Sequence, residues 1–276
     1  MTGEGVPETA GDPGAIETIG LTRRFGSLTA VDGLTLSISR GVIFGLLGPN
    51  GAGKSTTIKM LTTLLPPSAG SARVAGLDVI HRAREVRRRI GYVPQLVSVD
   101  GSLTAYENLQ VFAQLYGVLR GERRDRIRQA LVLIGLESSA HVLVRQFSGG
   151  MIRRLEIAQA VLHHPRILFL DEPTVGLDPI ARRTVWEHVR DLRARSGTTV
   201  LLTTHYMEEA DELCDRVAIL HRGKVAAQGT PAELKARVSE TASLDDVFAH
   251  FTGNTLETGG TYRDAARTRR TARRLG

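Results

Sequence analysis

From residue 16 to residue 44 the chain reads IETIGLTRRFGSLTAVDGLTLSISRGVIF, short runs in which apolar and polar positions alternate, broken at Gly26, Gly33 and Gly41. Period-two alternation punctuated by glycine predicts antiparallel strands joined by turns. The pattern then changes. GVIFGLLG is apolar almost throughout, as in a strand covered on both faces, and GKSTTIKMLTTLL follows at helical spacing until Pro66, Pro67 and Gly70 stop it. GSARVAGLDVI is predicted to return to the small sheet.

Between Ser102 and His164 the spacing is helical. SLTAYENLQVFAQLYG and the arginine-rich GERRDRIRQALVLIGL each close near a glycine, and Met151 to His164 predicts an amphipathic helix. RILFLDEP and TTVLLTTH read as buried parallel strands separated by a helix over Ile180 to Arg195. A helical insertion therefore divides an α/β core. The glycine loop that opens this core is not repeated, so the chain holds one such unit.

Composition narrows the class. The 276 residues are 42% hydrophobic and 24% charged, which suits one or two globular domains. Four lysines (Lys54, Lys59, Lys224 and Lys235) and 32 arginines leave a net charge of +7, a surplus suited to nucleic acid or to an anionic membrane surface. Cys214 stands alone, which excludes an intrachain disulfide and a cysteine metal cluster and fits a reducing cytoplasm. The opening MTGEGVPETAGDPG lacks the basic and then apolar order of a signal peptide, and residues 1–15 are expected to form a disordered leader. VIFGLLG and ILFL fall far short of the roughly 20 apolar residues that cross a bilayer, so any membrane role passes through a partner.

The chemistry-bearing stretches are few. Gly48, Pro49, Asn50, Gly51, Ala52, Gly53, Lys54, Ser55 and Thr56 form a phosphate loop: the glycines let backbone N–H groups point into one anion nest, Lys54 brings charge to the β- and γ-phosphates, and Ser55 can ligate Mg²⁺. In ILFLDEPT, Asp171 at a strand end would hold Mg²⁺ through water, and Glu172 would polarise an attacking water or accept its proton. Ser148, Gly149 and Gly150 in FSGGM head a helix and make a second anion receptor.

Alongside these, YVPQ ends at Gln95, GLDP spans Gly176 to Pro179 and TTH ends at His205. In order and spacing the set resembles the ATP-binding subunit of ATP-binding cassette (ABC) transporters, over roughly Ile16 to Thr230. The resemblance implies ATP and Mg²⁺ as ligands. It also implies an α/β fold: a RecA-like P-loop core with an antiparallel β subdomain and a helical subdomain at about 96–164, followed by a C-terminal extension, 231–276. It implies that Phe25 stacks on adenine, where many members have tyrosine, and that Gln95 approaches Mg²⁺ and the attacking water and senses a membrane partner. Asp178 would lie across a dimer interface, and His205 would contact the γ-phosphate and hold Glu172. Ser148 to Gly150 would bind the γ-phosphate of a nucleotide held by another subunit. Two cassettes, identical or not, would thus close head to tail on two ATP molecules beneath a separate integral membrane permease, at the cytoplasmic face of a bacterial cell membrane, with no nucleic acid as partner.

Met151 stands where the family most often has glutamine and removes a hydrogen-bonding group from the ribose. SGGMIRRLEIAQAVLHHPRILFLDEPTVGLDP, and SLDDVFAHFTG from Ser243 to Gly253, are similar to the branch of drug and antibiotic exporters exemplified by daunorubicin-resistance ATP-binding subunits. The expected function is an ATPase that powers efflux of a drug, antibiotic or other hydrophobic compound. An importer ATPase and a soluble non-transport ABC ATPase are the alternatives. Arg153, Arg154 and the arginines of the 120s are expected on exposed helix faces. The final YRDAARTRRTARRLG, six arginines against Asp264, is expected to be a solvated tail.

Overall fold

The computed structural model describes residues 14–253, so the expectations for most of the leader and for the arginine-rich tail lie outside the described residues. In chain order the elements are β1 (Ile16–Phe25), β2 (Leu28–Ile38), β3 (Ile43–Leu47), α1 (Lys54–Leu61), β4 (Ala69–Val74), β5 (Leu77–Asp78), α2 (Ala83–Arg87) and β6 (Ile90–Val93). There follow α3 (Ala105–Leu115), α4 (Arg123–Leu133), α5 (Gly149–Val161), β7 (Ile167–Asp171), α6 (Pro179–Ser196) and β8 (Thr199–Thr204). The chain then forms α7 (Met207–Leu213), β9 (Arg216–His221), β10 (Lys224–Gly229), α8 (Pro231–Ala236) and α9 (Leu244–Thr252).

Two sheets divide the strands. The alternating segments β1 and β2 join β4 and β5, which follow α1, in a four-stranded sheet, β2-β1-β4-β5, whose pairings are all antiparallel. The apolar strands build a six-stranded sheet, β10-β9-β3-β8-β7-β6, parallel except at the β10 edge. In β3 and β7 every residue is buried, as expected of parallel strands covered on both faces.

One core lies between the two sheets and takes Ile58, Met60 and Leu61 of α1, while another covers the opposite face of the parallel sheet under α5, α6 and α7. Leu234 of α8 and Leu244, Val247 and Phe248 of α9 belong to that second core, so the chain beyond Gly229 continues to cover the parallel sheet. Ser243 and Asp246 close α9 with a reciprocal capping box, and Gly253 ends it in the left-handed region.

The helix expected over 151–164 begins at Gly149 and ends at Val161, and it is not amphipathic in the usual sense. Ile157, Ala160 and Val161 face the sheet core, whereas Leu155 and Ala158 face the small core of α3 and α4, so nearly every position from Leu155 onward is buried. A helix shared between two cores has no solvent face to display.

Phe248 is 1% exposed. Truncation by Phe248→Ala should cost about 3–5 kcal/mol, read as a lowered urea midpoint with an unchanged m-value. A change within experimental error would mean that α9 is not part of the core.

Candidate functional site

The phosphate loop spans the turn from β3 into α1. Gly48 (φ 152°) and Gly53 (φ 103°) hold conformations that L side chains rarely adopt, and each lies against neighbouring backbone. A Cβ would come within 2.3 Å of the Leu220 carbonyl oxygen at Gly48 and within 2.4 Å of the Ala30 carbonyl oxygen at Gly53. The loop is therefore pressed onto β9 and β2, and any other residue would push it off. The loop ends at the start of α1, where Gly53 caps the helix without a side-chain bond. Asn50, Gly51, Ala52 and Thr56 complete the loop and the first helical turn. Lys54 is buried, and its Nζ donates to the carbonyls of Gly48 at 2.8 Å and Pro49 at 3.2 Å.

β7 carries the acids. Asp171 Oδ1 accepts from Ser55 Oγ at 3.0 Å and from Thr203 Oγ1 at 2.6 Å, tying α1 and β8 to the end of β7. Burial and the Asp171 charge push the nearby Tyr92 phenol up to about 12. Glu172 follows with φ 50°, strained for a residue other than glycine, and its N–H is held by the Thr203 hydroxyl at 3.0 Å and carbonyl at 3.1 Å. This turn swings the Glu172 carboxylate toward the phosphate loop. Oε1 lies 3.2 Å from Lys54 Nζ and 3.3 Å from His205 Nδ1, and Oε2 accepts from Gln95 Nε2 at 3.0 Å. Burial, the strongest influence, pushes this carboxyl up, but the His205 hydrogen bond and the Lys54 charge together hold it below its ordinary value of 4.5.

The structure thus brings Lys54, Ser55, Gln95, Asp171, Glu172 and His205 into one cluster. Ser148, Gly149, Gly150, Asp178 and Phe25 make no hydrogen bond or ion pair with it among the described residues. Ser148 caps α5 by accepting from Met151 N–H at 3.3 Å, which leaves its hydroxyl proton free to donate. Gly150 has its own reason to be glycine, because a Cβ there would meet Ala181 Cβ at 2.8 Å where α5 and α6 cross. Asp178 caps α6, accepting from Ala181 N–H at 2.9 Å. Phe25 is 45% exposed beneath the Arg23 guanidinium, 4.6 Å from the ring centre, so it is not a core residue.

Other contributors were given no role by the sequence. Thr203 serves both acids. Glu209 is buried and accepts from Thr174 Oγ1 at 2.8 Å and Trp186 Nε1 at 2.9 Å, pinning the segment between Glu172 and Asp178. Arg153, expected on an exposed helix face, is only 6% exposed, and Arg154 reaches across to the Ile134 carbonyl at 3.0 Å. A threonine in an apolar strand, or an arginine in a basic run, has no spacing that distinguishes it; only the partner brought in by the fold does.

The ABC transporter family model matches residues 31–175. The chain belongs to the ABC transporter family. It is 50% identical to the daunorubicin/doxorubicin resistance ATP-binding protein DrrA of Streptomyces peucetius over 80% of this chain and 67% of that protein. It is 47% identical to the Nod factor export ATP-binding protein I of Ralstonia nicotianae over 78% of this chain and 67% of that protein. A solved ATP-binding subunit of an ABC transporter superposes with a TM-score of 0.75 at 31% identity, over 86% of this chain and 99% of that one. A dimeric ATP-binding cassette in a post-hydrolysis state, bound to ADP and Pi, superposes with a TM-score of 0.69 at 27% identity, over 78% of this chain and 98% of that one. The fold is accordingly that of an ABC ATPase, and this ABC subunit binds and hydrolyses ATP.

Because the Glu172 carboxyl titrates below its unfolded value, the stability it contributes is fully present above about pH 4.5 and is lost as the pH falls through the lower folded-state value. The stability gap between the natural chain and Glu172→Gln, read from urea midpoints, should therefore narrow on acidification below about pH 4.5. A gap that widens would contradict the ionised, Lys54-paired carboxylate.

Proposed function

We propose that the chain is the ATP-hydrolysing subunit of an exporter, and that Glu172 is the group that orients and deprotonates the attacking water. One observation carries this reading: a single ionised carboxylate is held at once by Lys54, His205 and Gln95 beside a phosphate loop. Lys54 would leave the Gly48 and Pro49 carbonyls to follow the β- and γ-phosphates, and the N–H groups at the start of α1 would take the phosphate oxygens. His205 would hold Glu172 in place and contact the γ-phosphate, while Gln95 would stand beside the water. With the carboxylate so fixed, the attack needs little reorganisation.

The residues also fit Mg²⁺. Ser55 and Asp171 already meet through a 3.0 Å hydrogen bond, and Gln95 bonds Glu172, the residue after Asp171. Among the described residues no group of three or more His, Cys, Asp or Glu side chains gathers to hold a metal, which suits an ion that takes one carboxylate, one hydroxyl and the rest of its ligands from phosphate and water. When bound, Mg²⁺ supplies charge neutralisation on the phosphates.

The Ser148 receptor would serve a second nucleotide. The hydroxyl proton of Ser148 and the N–H groups of Gly149 and Gly150 form a donor set outside the Lys54–Glu172 cluster, which supports a head-to-tail pair of cassettes, each completing the other's site. Phe25 would stack on adenine and Asp178 would lie at the interface. The names of the relatives, drug resistance and Nod factor export, support export of a drug, antibiotic or other hydrophobic compound. No helix among the described residues is long and apolar enough to cross a membrane, so the subunit would act peripherally, at the cytoplasmic face, beneath a separate membrane permease.

Glu172→Gln should retain ATP binding while turnover falls by about a hundredfold or more, with ATP-dependent dimer accumulating on size-exclusion chromatography. Ordinary turnover in this variant would remove Glu172 from its assigned role.

A further inference from the structure

α5 starts at the Ser148 receptor and ends beneath the parallel sheet, and two of its charged side chains never reach solvent. Arg153 is 6% exposed and Glu156 2%, and they pair at 3.0 Å. Both Arg153 terminal nitrogens and Glu156 Oε1 also bond the loop that follows β6. Arg153 Nη1 donates to the Pro94 carbonyl at 2.8 Å and Nη2 to the Gln95 carbonyl at 3.4 Å. Glu156 Oε1 accepts from the Ser98 N–H at 2.6 Å and the Ser98 hydroxyl at 3.0 Å. The pair therefore grips both ends of the segment 94–98, and from within that segment the Gln95 side chain reaches Glu172 Oε2 at 3.0 Å.

Nothing apolar does this job. Leu96 and Val97, the hydrophobic residues of the segment, are 79% and 62% exposed, so burial of their side chains does not shape the loop. Nor does stability explain the pair, since removing two charges from water costs about as much as their attraction returns, and apolar residues of similar volume often serve as well. What apolar residues could not supply is a set of directed bonds to three anchor residues, Pro94, Gln95 and Ser98.

We propose that Arg153 and Glu156 are positioning residues that set the reach of Gln95 to Glu172, and so join the Ser148 end of α5 to the hydrolytic carboxylate. The proposal rests on the assignment of Glu172 to the attacking water. A displacement of α5 at its receptor end would pass through this pair to the Gln95 carbonyl, and from there to the carboxylate that handles water. The contact made to one nucleotide would thereby be felt at the chemistry of the other.

The test is a double-mutant cycle on the full chain, with ATP turnover and binding of a fluorescent ATP analogue measured separately. Arg153→Gln and Glu156→Gln should each lower kcat by about tenfold or more, because small misplacements of catalytic groups are costly, while the affinity for the analogue stays within about twofold. In a Gln95→Ala background the same substitutions should change kcat by less than about twofold, since the contact they serve is already gone. Arg153→Lys, which can still donate to the Pro94 carbonyl, should recover part of the loss. Equal losses in the two backgrounds, or an affinity that falls in step with kcat, would overturn the proposal. Should the glutamine variants fail to fold, Ser98→Ala removes one hydroxyl from Glu156 and takes their place in the cycle. It should give a smaller loss of kcat in the natural background and none in the Gln95→Ala background, and equal losses in both would again overturn the proposal. Ordinary turnover in Glu172→Gln would instead defeat the assignment of Glu172, whatever the cycle gave.

Discussion

The Glu172 carboxylate is charged and nearly sealed from water, and the architecture around it is what makes that state tolerable. An ion in such a place needs partners, and these come from separate parts of the chain: Lys54 at the head of α1, Gln95 after β6 and His205 after β8. Strand order delivers them. β7 lies between β8 and β6, so the loops that leave those two strands flank the loop that leaves β7, and β3, beyond β8, sends the phosphate loop to the same end of the sheet. The left-handed turn at Glu172 and its two bonds to Thr203 then aim the carboxylate inward.

α5 links this arrangement to the rest of the molecule. One side of it packs on the parallel sheet and another on the helical insertion, and at its head Gly150 lets it approach α6. Because the helix is close-packed on both sides, a displacement of the kind proposed would carry it as a body. Its buried Arg153–Glu156 pair converts such a motion into a displacement of the loop that carries Gln95. In a subunit whose proposed task is to turn ATP binding into movement of a membrane partner, that helix is the mechanical element on which the two ends of the site meet.

The parts of the fold legible in the sequence were those with local causes. The strand, glycine loop and helix around Lys54, the apolar strands β7 and β8, and the break between alternating and helical patterns all follow from periodicity and glycine placement. The edge strands β6 and β10 carry no comparable signal, because they owe their form to pairing with β7 and β9 rather than to their own pattern. The spacing over Met151 to His164 predicts a helix with a polar face toward solvent; Arg153 and Glu156 are instead buried, because a loop distant in sequence folds over them. Among the site residues, Lys54, Asp171 and Glu172 were legible because the chemistry demands those types near a phosphate loop, whereas Thr203 and Glu209 act only through the partners that tertiary structure supplies.

In the proposed function, the cluster around Glu172 is half of a site whose other half, Ser148 to Gly150, sits on a second chain. The most direct measurement mixes purified Ser148→Arg chains with Lys54→Ala chains and follows ATP hydrolysis. Each variant alone should be inactive, and the mixed pair should regain a single working site, made from the Lys54 of one chain and the Ser148 of the other. A mixture as inactive as its parents, or one with two working sites per pair, would contradict the shared geometry.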